Sequence, residues 1–156
     1  MHVLFVCTGS TCRSPLAEAI ARKAALARGR ADIVVSSAGT SAWEGAPASD
    51  GALLVGIERE LDLNPHRARM LSPELVEAAT LILAMGPHHI ERIAALGGAT
   101  KAHLLTDYAD RSNAGHAISD PFGGDLDAYR ATVDELDARI GRVFDRIMND
   151  RPLSSP

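Results

Sequence analysis

The chain has 156 residues, of which 46% are hydrophobic and 23% are charged, and its formal net charge is −4. This length and composition predict one soluble domain over residues 1–150, followed by a short tail at residues 151–156. The acidic balance and an aromatic content of only 4% exclude a basic or base-stacking surface for nucleic acid. No stretch approaches the roughly 18 apolar residues of a membrane span, so we expect neither nucleic acid nor membrane as a partner.

The N-terminal residues MHVLFVC carry no basic leader, so we interpret them as a core strand and not as a signal peptide. The chain contains two cysteines, Cys7 and Cys12. Two cysteines without an export signal are typical of a protein of the reducing cytoplasm, where both remain thiols. We therefore expect a cytoplasmic location and no disulfide that holds the fold together.

Four short apolar runs, partly β-branched, have the length and composition of buried strands. They cover residues 2–6, 32–36, 80–84 and 102–105. The first intervening helix is predicted over residues 15–28, where Ser14 and Pro15 form a typical N-cap and first-turn pair. A second helix is predicted at about 49–61. Its expected buried face consists of Leu53, Leu54, Ile57 and Leu61.

Two further helices are predicted to begin at prolines, the third at Pro73 and the fourth at Pro87, which ends before Gly97. The fourth contains His88 and His89, which we expect at the surface, because adjacent helical residues point about 100° apart and no metal-binding motif accompanies them. The last helix is the clearest, since its apolar residues alternate steps of three and four. These residues are Leu126, Tyr129, Val133, Leu136, Ile140, Val143 and Ile147.

Strands that alternate with helices predict a single-domain α/β fold with a doubly wound, four-stranded parallel sheet and helices on both faces. Strand one is expected in the centre, which places Cys7 at the carboxyl edge of the sheet, where such folds bind ligands. Residues 107–124 show no clear periodicity. A connection of that length is usually functional, and this one contains Asp120.

The stretch VCTGSTCRSP follows the first strand and opens the first helix. Between Cys7 and Arg13 every residue is small, so consecutive backbone N–H groups can turn inward and form an anion-binding nest. The helix N-terminus adds donors and positive potential, which also favour a thiolate on Cys7. Arg13 can hold two phosphate oxygens in its planar fork, and Ser14 can donate to the thiolate. No G-K-[ST] follows, so the glycine spacing is not that of a nucleotide-binding loop.

The chain resembles the low-molecular-weight protein tyrosine phosphatase family in five motifs, which occur in the family's order over nearly the whole length. They are VCTGSTCRSP at 6–15, SSAGTSAW at 36–43, HRARML at 66–71, LILAM at 81–85 and DPFGG at 120–124. The resemblance implies a four-stranded parallel sheet. It also implies hydrolysis of phosphorylated protein side chains without metal or other cofactor, through a cysteinyl-phosphate intermediate.

Site residues follow from the same resemblance. Cys7 would be the nucleophile, Arg13 would bind the phosphoryl group, and Asp120 would protonate the leaving atom and later deprotonate the attacking water. The backbone amides that would bind the phosphoryl group belong to Thr8, Gly9, Ser10, Thr11, Cys12 and Arg13. Cys12 would be able to trap Cys7 as a reversible disulfide under oxidation.

One position departs from the family pattern. Ser10 stands where the family usually has asparagine, a residue that tolerates a left-handed backbone better than serine does. The resemblance implies that His66 takes part in bracing this loop. The substitution bears on the rigidity of the loop but leaves the nucleophile, the arginine and the acid in place.

Two features resemble the branch of the family that removes phosphate from protein arginine. Thr11 replaces a larger aliphatic residue, and Phe122 follows Asp-Pro where tyrosine phosphatases usually have tyrosine. Trp43 is a third candidate specificity residue and can stack on a tyrosine ring or on a guanidinium. Phosphoarginine in proteins is therefore the preferred substrate class, and phosphotyrosine is the alternative.

The residues also allow simpler interpretations. Ser14 can be a helix cap, Asp120 can start a turn with its proline, and Trp43 can be a partly buried hydrophobic residue. Cys12 can serve packing alone. Two rival functions are arsenate reduction, which usually needs a third cysteine, and a non-catalytic phosphate-binding or redox-sensing module.

Overall fold

The computed structural model describes residues 1–150, and the predicted tail at 151–156 lies outside the described residues. Four parallel strands form one sheet in the order β2-β1-β3-β4. They are β1 (His2–Cys7), β2 (Val34–Gly39), β3 (Leu81–Ala84) and β4 (Ala102–Leu104). The predicted doubly wound α/β fold with a central first strand is therefore confirmed.

In the part of the chain that the structure describes, six helices lie between and after the strands and cover both faces of the sheet. They are α1 (Arg13–Ala27), α2 (Asp50–Glu58), α3 (Pro73–Ala78), α4 (Pro87–Ala95), α5 (Leu105–Asp110) and α6 (Leu126–Asn149). Within residues 1–150, none of these helices combines the length and apolar character that crossing a membrane requires.

The central strand divides the core into two layers, because its side chains point alternately to opposite faces. Val3 and Phe5 pack into the larger cluster, with apolar residues of α1 and α6. Leu4 and Val6 pack into the smaller one, which includes Ile93 of α4. This two-sided burial explains why β1 is a continuous apolar run, and it fixes Cys7 at the carboxyl edge of the sheet.

The second predicted strand was placed too early, since β2 begins at Val34 and ends at Gly39. The preceding residues form a turn, in which Arg30 Nε donates to Asp32 at 2.9 Å. The later residues pair with β1 because small side chains at the carboxyl end allow a close approach. A Cβ on Gly39 would lie 2.8 Å from the backbone nitrogen of Ser10.

The buried face predicted for the second helix is right for Leu61, which is buried just after α2, and for Leu53, which packs against the core, but wrong for the other two residues. Leu54 and Ile57 are 53% and 69% exposed, and α2 instead buries Ala52, Val55 and Gly56. Small residues face inward because the helix lies close against its neighbours. A Cβ on Gly56 would lie 2.8 Å from the carbonyl oxygen of Leu61.

The long segment after β4 is more ordered than its lack of periodicity suggested. Its start forms the short helix α5, and Asp107 Oδ1 accepts from Gly115 N at 3.0 Å. Ile118 N donates to Met85 O at 2.8 Å, which ties the segment to the end of β3. These contacts place Asp120 at the edge of the sheet where Cys7 lies.

Candidate active site

The β1–α1 loop (residues 8–12) connects the central strand directly to a helix. Cys7 is the last residue of β1, and Arg13 is the first residue of α1. The first N–H groups of a helix have no partners within it and carry partial positive charge. The loop is therefore suited by its position to hold an anion beside the sulfur of Cys7.

A cavity of about 200 Å³ opens over this loop. It is lined by Cys7, Thr8, Gly9, Thr11, Cys12, Arg13, Asp120 and Phe122. The three residues to which the resemblance assigns chemistry thus meet at one cavity, although Asp120 is far from the other two in sequence. Its size is suited to a phosphoryl group and the end of the side chain that carries it.

The sulfur of Cys7 lies 3.1 Å from Ser14 Oγ, and both residues are almost fully buried. α1 begins one residue before Ser14, with Cys12 at the N-cap position and no side-chain cap. The helix-cap interpretation of Ser14 is therefore wrong. In the thiol form the sulfur of Cys7 donates to Ser14 Oγ. A thiolate can only accept, so the serine O–H becomes the donor that stabilises it once Cys7 has lost its proton.

Arg13 is held rigidly beside the cavity. Its side chain is buried, and Nη1 donates to the carbonyl oxygen of Ile118 at 3.0 Å. Nη2 lies 3.6 Å from Asp120 Oδ2. Asp120 also forms the turn that the sequence suggested, because its Oδ1 accepts from Phe122 N at 3.1 Å. Oδ1 of Asp120 forms the turn and Oδ2 faces Arg13, so the same carboxylate can form the turn and lie at the cavity.

The conformation of the β1–α1 loop depends on Ser10, which is fully buried and has a φ of 58°. His66 Nε2 lies 2.6 Å from the carbonyl oxygen of Ser10, and Arg69 N donates to its Oγ at 3.4 Å. Serine in this left-handed region costs roughly 1–2 kcal/mol. These contacts from His66 and Arg69 hold the backbone in place despite that cost.

The expectation of two surface histidines is wrong for one of them. His88 is exposed, but His89 is fully buried and its Nε2 lies 2.9 Å from Thr8 Oγ1. Burial, followed by the positive charges of His88 and Arg13, lowers the pKa of His89 to about 4. The ring is therefore neutral at neutral pH. One signal was available in the sequence, because His89 comes shortly after β3. The carboxyl end of β3 lies at the same edge of the sheet as Cys7.

Cys12 has polar neighbours that the sequence did not reveal. Its sulfur lies 3.4 Å from Ser49 Oγ and 3.4 Å from Tyr129 OH, and the two hydroxyls are 3.1 Å apart. Thr11 Oγ1 is at 3.8 Å from the same sulfur. Cys7 and Cys12 are both free thiols. Tyr129 was expected only as a core residue of the last helix, and it also reaches this cluster.

Two large aromatic residues are exposed near the functional loops. Phe122 is 78% exposed and lines the cavity, which makes it available to a substrate. Trp43 is 85% exposed, so the interpretation of a partly buried hydrophobic residue is wrong. It lies on the segment after β2, and a contact with a bound substrate would come from outside the cavity lining.

Known proteins resemble the chain over almost its full length. Residues 2–153 match the family model described as low molecular weight phosphotyrosine protein phosphatase. The protein-arginine-phosphatase of Bacillus subtilis (strain 168) is 37% identical, with 97% of this chain and 99% of that protein covered. The low molecular weight protein-tyrosine-phosphatase PtpB of Staphylococcus haemolyticus (strain JCSC1435) is 32% identical, with coverage of 92% and 97%.

Solved structures give a matching result for the fold. A structure of the YwlE arginine phosphatase, in a mutant with a phosphorylated active site serine, superposes with a TM-score of 0.90. That structure is 37% identical, with 97% of this chain and 98% of that chain covered.

Proposed function

The chain belongs to the low molecular weight phosphotyrosine protein phosphatase family, and on this premise we propose that it hydrolyses phosphoarginine in proteins through a cysteinyl-phosphate intermediate. The observation that carries the proposal is the meeting of Cys7, Arg13 and Asp120 at one cavity of about 200 Å³. Nucleophile, anion-binding group and proton donor are the three groups that such a reaction requires.

In the first step the thiolate of Cys7 attacks phosphorus, so an S–P bond forms and the P–N bond to the guanidine breaks. The electron pair of that bond goes to nitrogen, which takes a proton from Asp120. Arg13 and the backbone amides of the β1–α1 loop neutralise charge on the phosphoryl oxygens. The protein arginine then leaves, and Asp120 remains as a carboxylate.

In the second step water attacks phosphorus and gives its proton to Asp120. The S–P bond breaks, inorganic phosphate leaves, and Cys7 returns to the thiolate, which Ser14 Oγ at 3.1 Å stabilises. The side chain of Asp120 is 53% exposed, so water and the substrate backbone can both reach it. The cycle needs no cofactor.

The choice of phosphoarginine rests on the cavity wall and on the relatives. Thr11 and Phe122 line the cavity, and the hydroxyl of Thr11 suits a polar guanidinium better than an aliphatic side chain would. Two similar proteins, from Bacillus subtilis and Geobacillus stearothermophilus, are protein-arginine-phosphatases. Phosphotyrosine is the second candidate, because the PtpB relative is a protein-tyrosine-phosphatase and exposed Trp43 can stack on a phenol ring.

The remaining rivals have less support. Arsenate reduction usually relays through a third cysteine, and the chain has two. A phosphate-binding or redox-sensing module needs no proton donor, yet Asp120 lies at the cavity beside Arg13. We also propose a cytoplasmic location, because the reaction needs Cys7 as a free thiol. Expression with a C-terminal tag followed by cell fractionation would test that location.

The substrate is tested by phosphate release from a phosphoarginine protein and from a phosphotyrosine peptide at neutral pH. Cys7→Ala is the blank, because a serine at this position can itself take up the phosphoryl group. A preference for phosphoarginine that Thr11→Ile reduces is the expected result. A preference for phosphotyrosine would replace the proposed substrate, and no turnover above the blank with either would favour the binding module.

A further inference from the structure

His89 is a fully buried titratable residue for which the proposed reaction has no role. Its Nδ1 accepts a hydrogen bond from Gly86 N at 3.0 Å. A backbone N–H can only donate, so Nδ1 must present a lone pair at this contact. In a neutral imidazole the single ring proton then lies on Nε2.

The position of that proton determines the direction of the next hydrogen bond. His89 Nε2 lies 2.9 Å from Thr8 Oγ1, so the ring donates and the threonine oxygen accepts. If Thr8 donated instead, the ring proton would lie on Nδ1. The Nδ1–H and the N–H of Gly86 would then be two donors pointing at each other. A hydroxyl that accepts from His89 must direct its own hydrogen elsewhere.

Thr8 is the residue after Cys7, it is exposed, and it lines the cavity. We propose that His89 is a positioning residue, which orients the Thr8 hydroxyl so that its O–H donates to an oxygen of the phosphoryl group bound in the cavity. The inference rests on the proposed function and adds a side-chain donor to the backbone amides of the β1–α1 loop. The neutral state needed for this tautomer is secured by burial, which keeps the pKa of His89 near 4.

His89 also has a structural contact that the experiment must separate from this role. It is the third residue of α4, and its contact with Gly86 caps the helix. Removal of the ring would therefore weaken the cap as well as release Thr8. Thr8→Val removes only the hydroxyl of an exposed residue and leaves the cap intact.

The test is a double-mutant cycle with Thr8→Val and His89→Leu, measured as kcat/KM and as the Kd for inorganic phosphate. Each single change is expected to lower kcat/KM and weaken phosphate binding roughly 10- to 100-fold, the effect of losing a hydrogen bond to a charged group. In the Thr8→Val background, His89→Leu is expected to have little further effect. His89→Gln, which can accept from Gly86 and donate to Thr8, is expected to restore most of the loss.

Equal losses from His89→Leu with and without the Thr8 hydroxyl would overturn the proposal, because a purely structural role predicts that result. His88→Gln is the matched control: the ring is exposed and adjacent, and no change in either quantity is expected. The Kd for phosphate can be measured without turnover. If the protein hydrolysed no phosphoprotein, the proposed function would be refuted. The double-mutant cycle measured as the Kd for phosphate would still decide the role of His89.

Discussion

Ser14 Oγ lies 3.1 Å from Cys7 Sγ, and both residues are shielded from solvent. We predict that Ser14→Ala slows alkylation of Cys7 by iodoacetamide roughly tenfold at neutral pH, because a hydrogen bond to the charged sulfur is lost. Ser72→Ala removes the cap of a remote helix and is the control. Unchanged alkylation in Ser14→Ala would contradict the role of the hydroxyl.

Asp120 is expected to matter most when the leaving group needs a proton. Asp120→Asn should lower kcat roughly 10²–10⁴-fold on phosphoarginine. The loss should be much smaller on an aryl phosphate with an acidic phenol, which can leave without protonation. Steady-state kinetics on the two substrates tests this. Asp127→Asn, an exposed residue on α6, is the control, and an equal loss on both substrates would argue against an acid role for Asp120.

Gly39 allows β2 to lie directly against the β1–α1 loop. A Cβ at this position would collide with the carbonyl oxygen of Thr8 and lie 2.8 Å from Ser10 N, both backbone atoms. Gly39→Ala should therefore displace the loop and lower kcat/KM by about 100-fold, the typical cost of a small misplacement at an active site. Gly141→Ala, where a Cβ meets open space, should leave kcat/KM unchanged, and similar effects of both changes would contradict this interpretation.

The low pKa of the buried His89 should make the free energy of unfolding depend on pH. The pKa of His89 falls from an ordinary 6.5 to about 4 in the fold, so the unfolded chain binds the proton more tightly. This contribution to stability is complete above pH 6.5 and is lost as the pH falls towards 4, by at most about 3 kcal/mol.

Urea unfolding at pH 7 and pH 4.5 measures this contribution. The wild type should lose more stability than His89→Gln over that interval, whereas other histidines contribute equally to both proteins. His88→Gln should still lose more stability than His89→Gln, because burial, and not the charge of His88, is the largest cause of the low pKa of His89. Parallel losses in wild type and His89→Gln would show that His89 is not held neutral by the fold.

The sequence was sufficient for the parts of the molecule that local patterns determine. A continuous apolar strand, five small residues and Pro15 placed the β1–α1 loop between β1 and α1, and the structure has it there. The steps of three and four predicted α6, whose buried residues include Leu136 and Ile140. Both predictions rest on patterns that are complete within one short stretch of the sequence.

Tertiary contacts decide the parts that the sequence did not predict. His89 and Thr8 are 81 residues apart. The place of His89 after β3 indicates the edge of the sheet that carries Cys7, but no local pattern shows which of the two adjacent histidines turns inward. On α2 the apolar side chains of Leu54 and Ile57 suggested the buried face, but close packing at Gly56 favours the opposite one. Which face of α2 is buried depends on how closely the neighbouring segment packs against it, and a hydrophobic pattern alone does not predict that distance.

The central claim is that Cys7 carries the phosphoryl group during hydrolysis of phosphoarginine. The wild-type protein is mixed with an excess of a phosphoarginine protein, denatured with acid-free denaturant during steady-state turnover and digested for mass spectrometry. The account predicts one added phosphoryl group on the peptide that contains Cys7, and none in the Cys7→Ala variant treated in the same way. Phosphate release at the wild-type rate with no modification of Cys7, or from the Cys7→Ala protein, would contradict it.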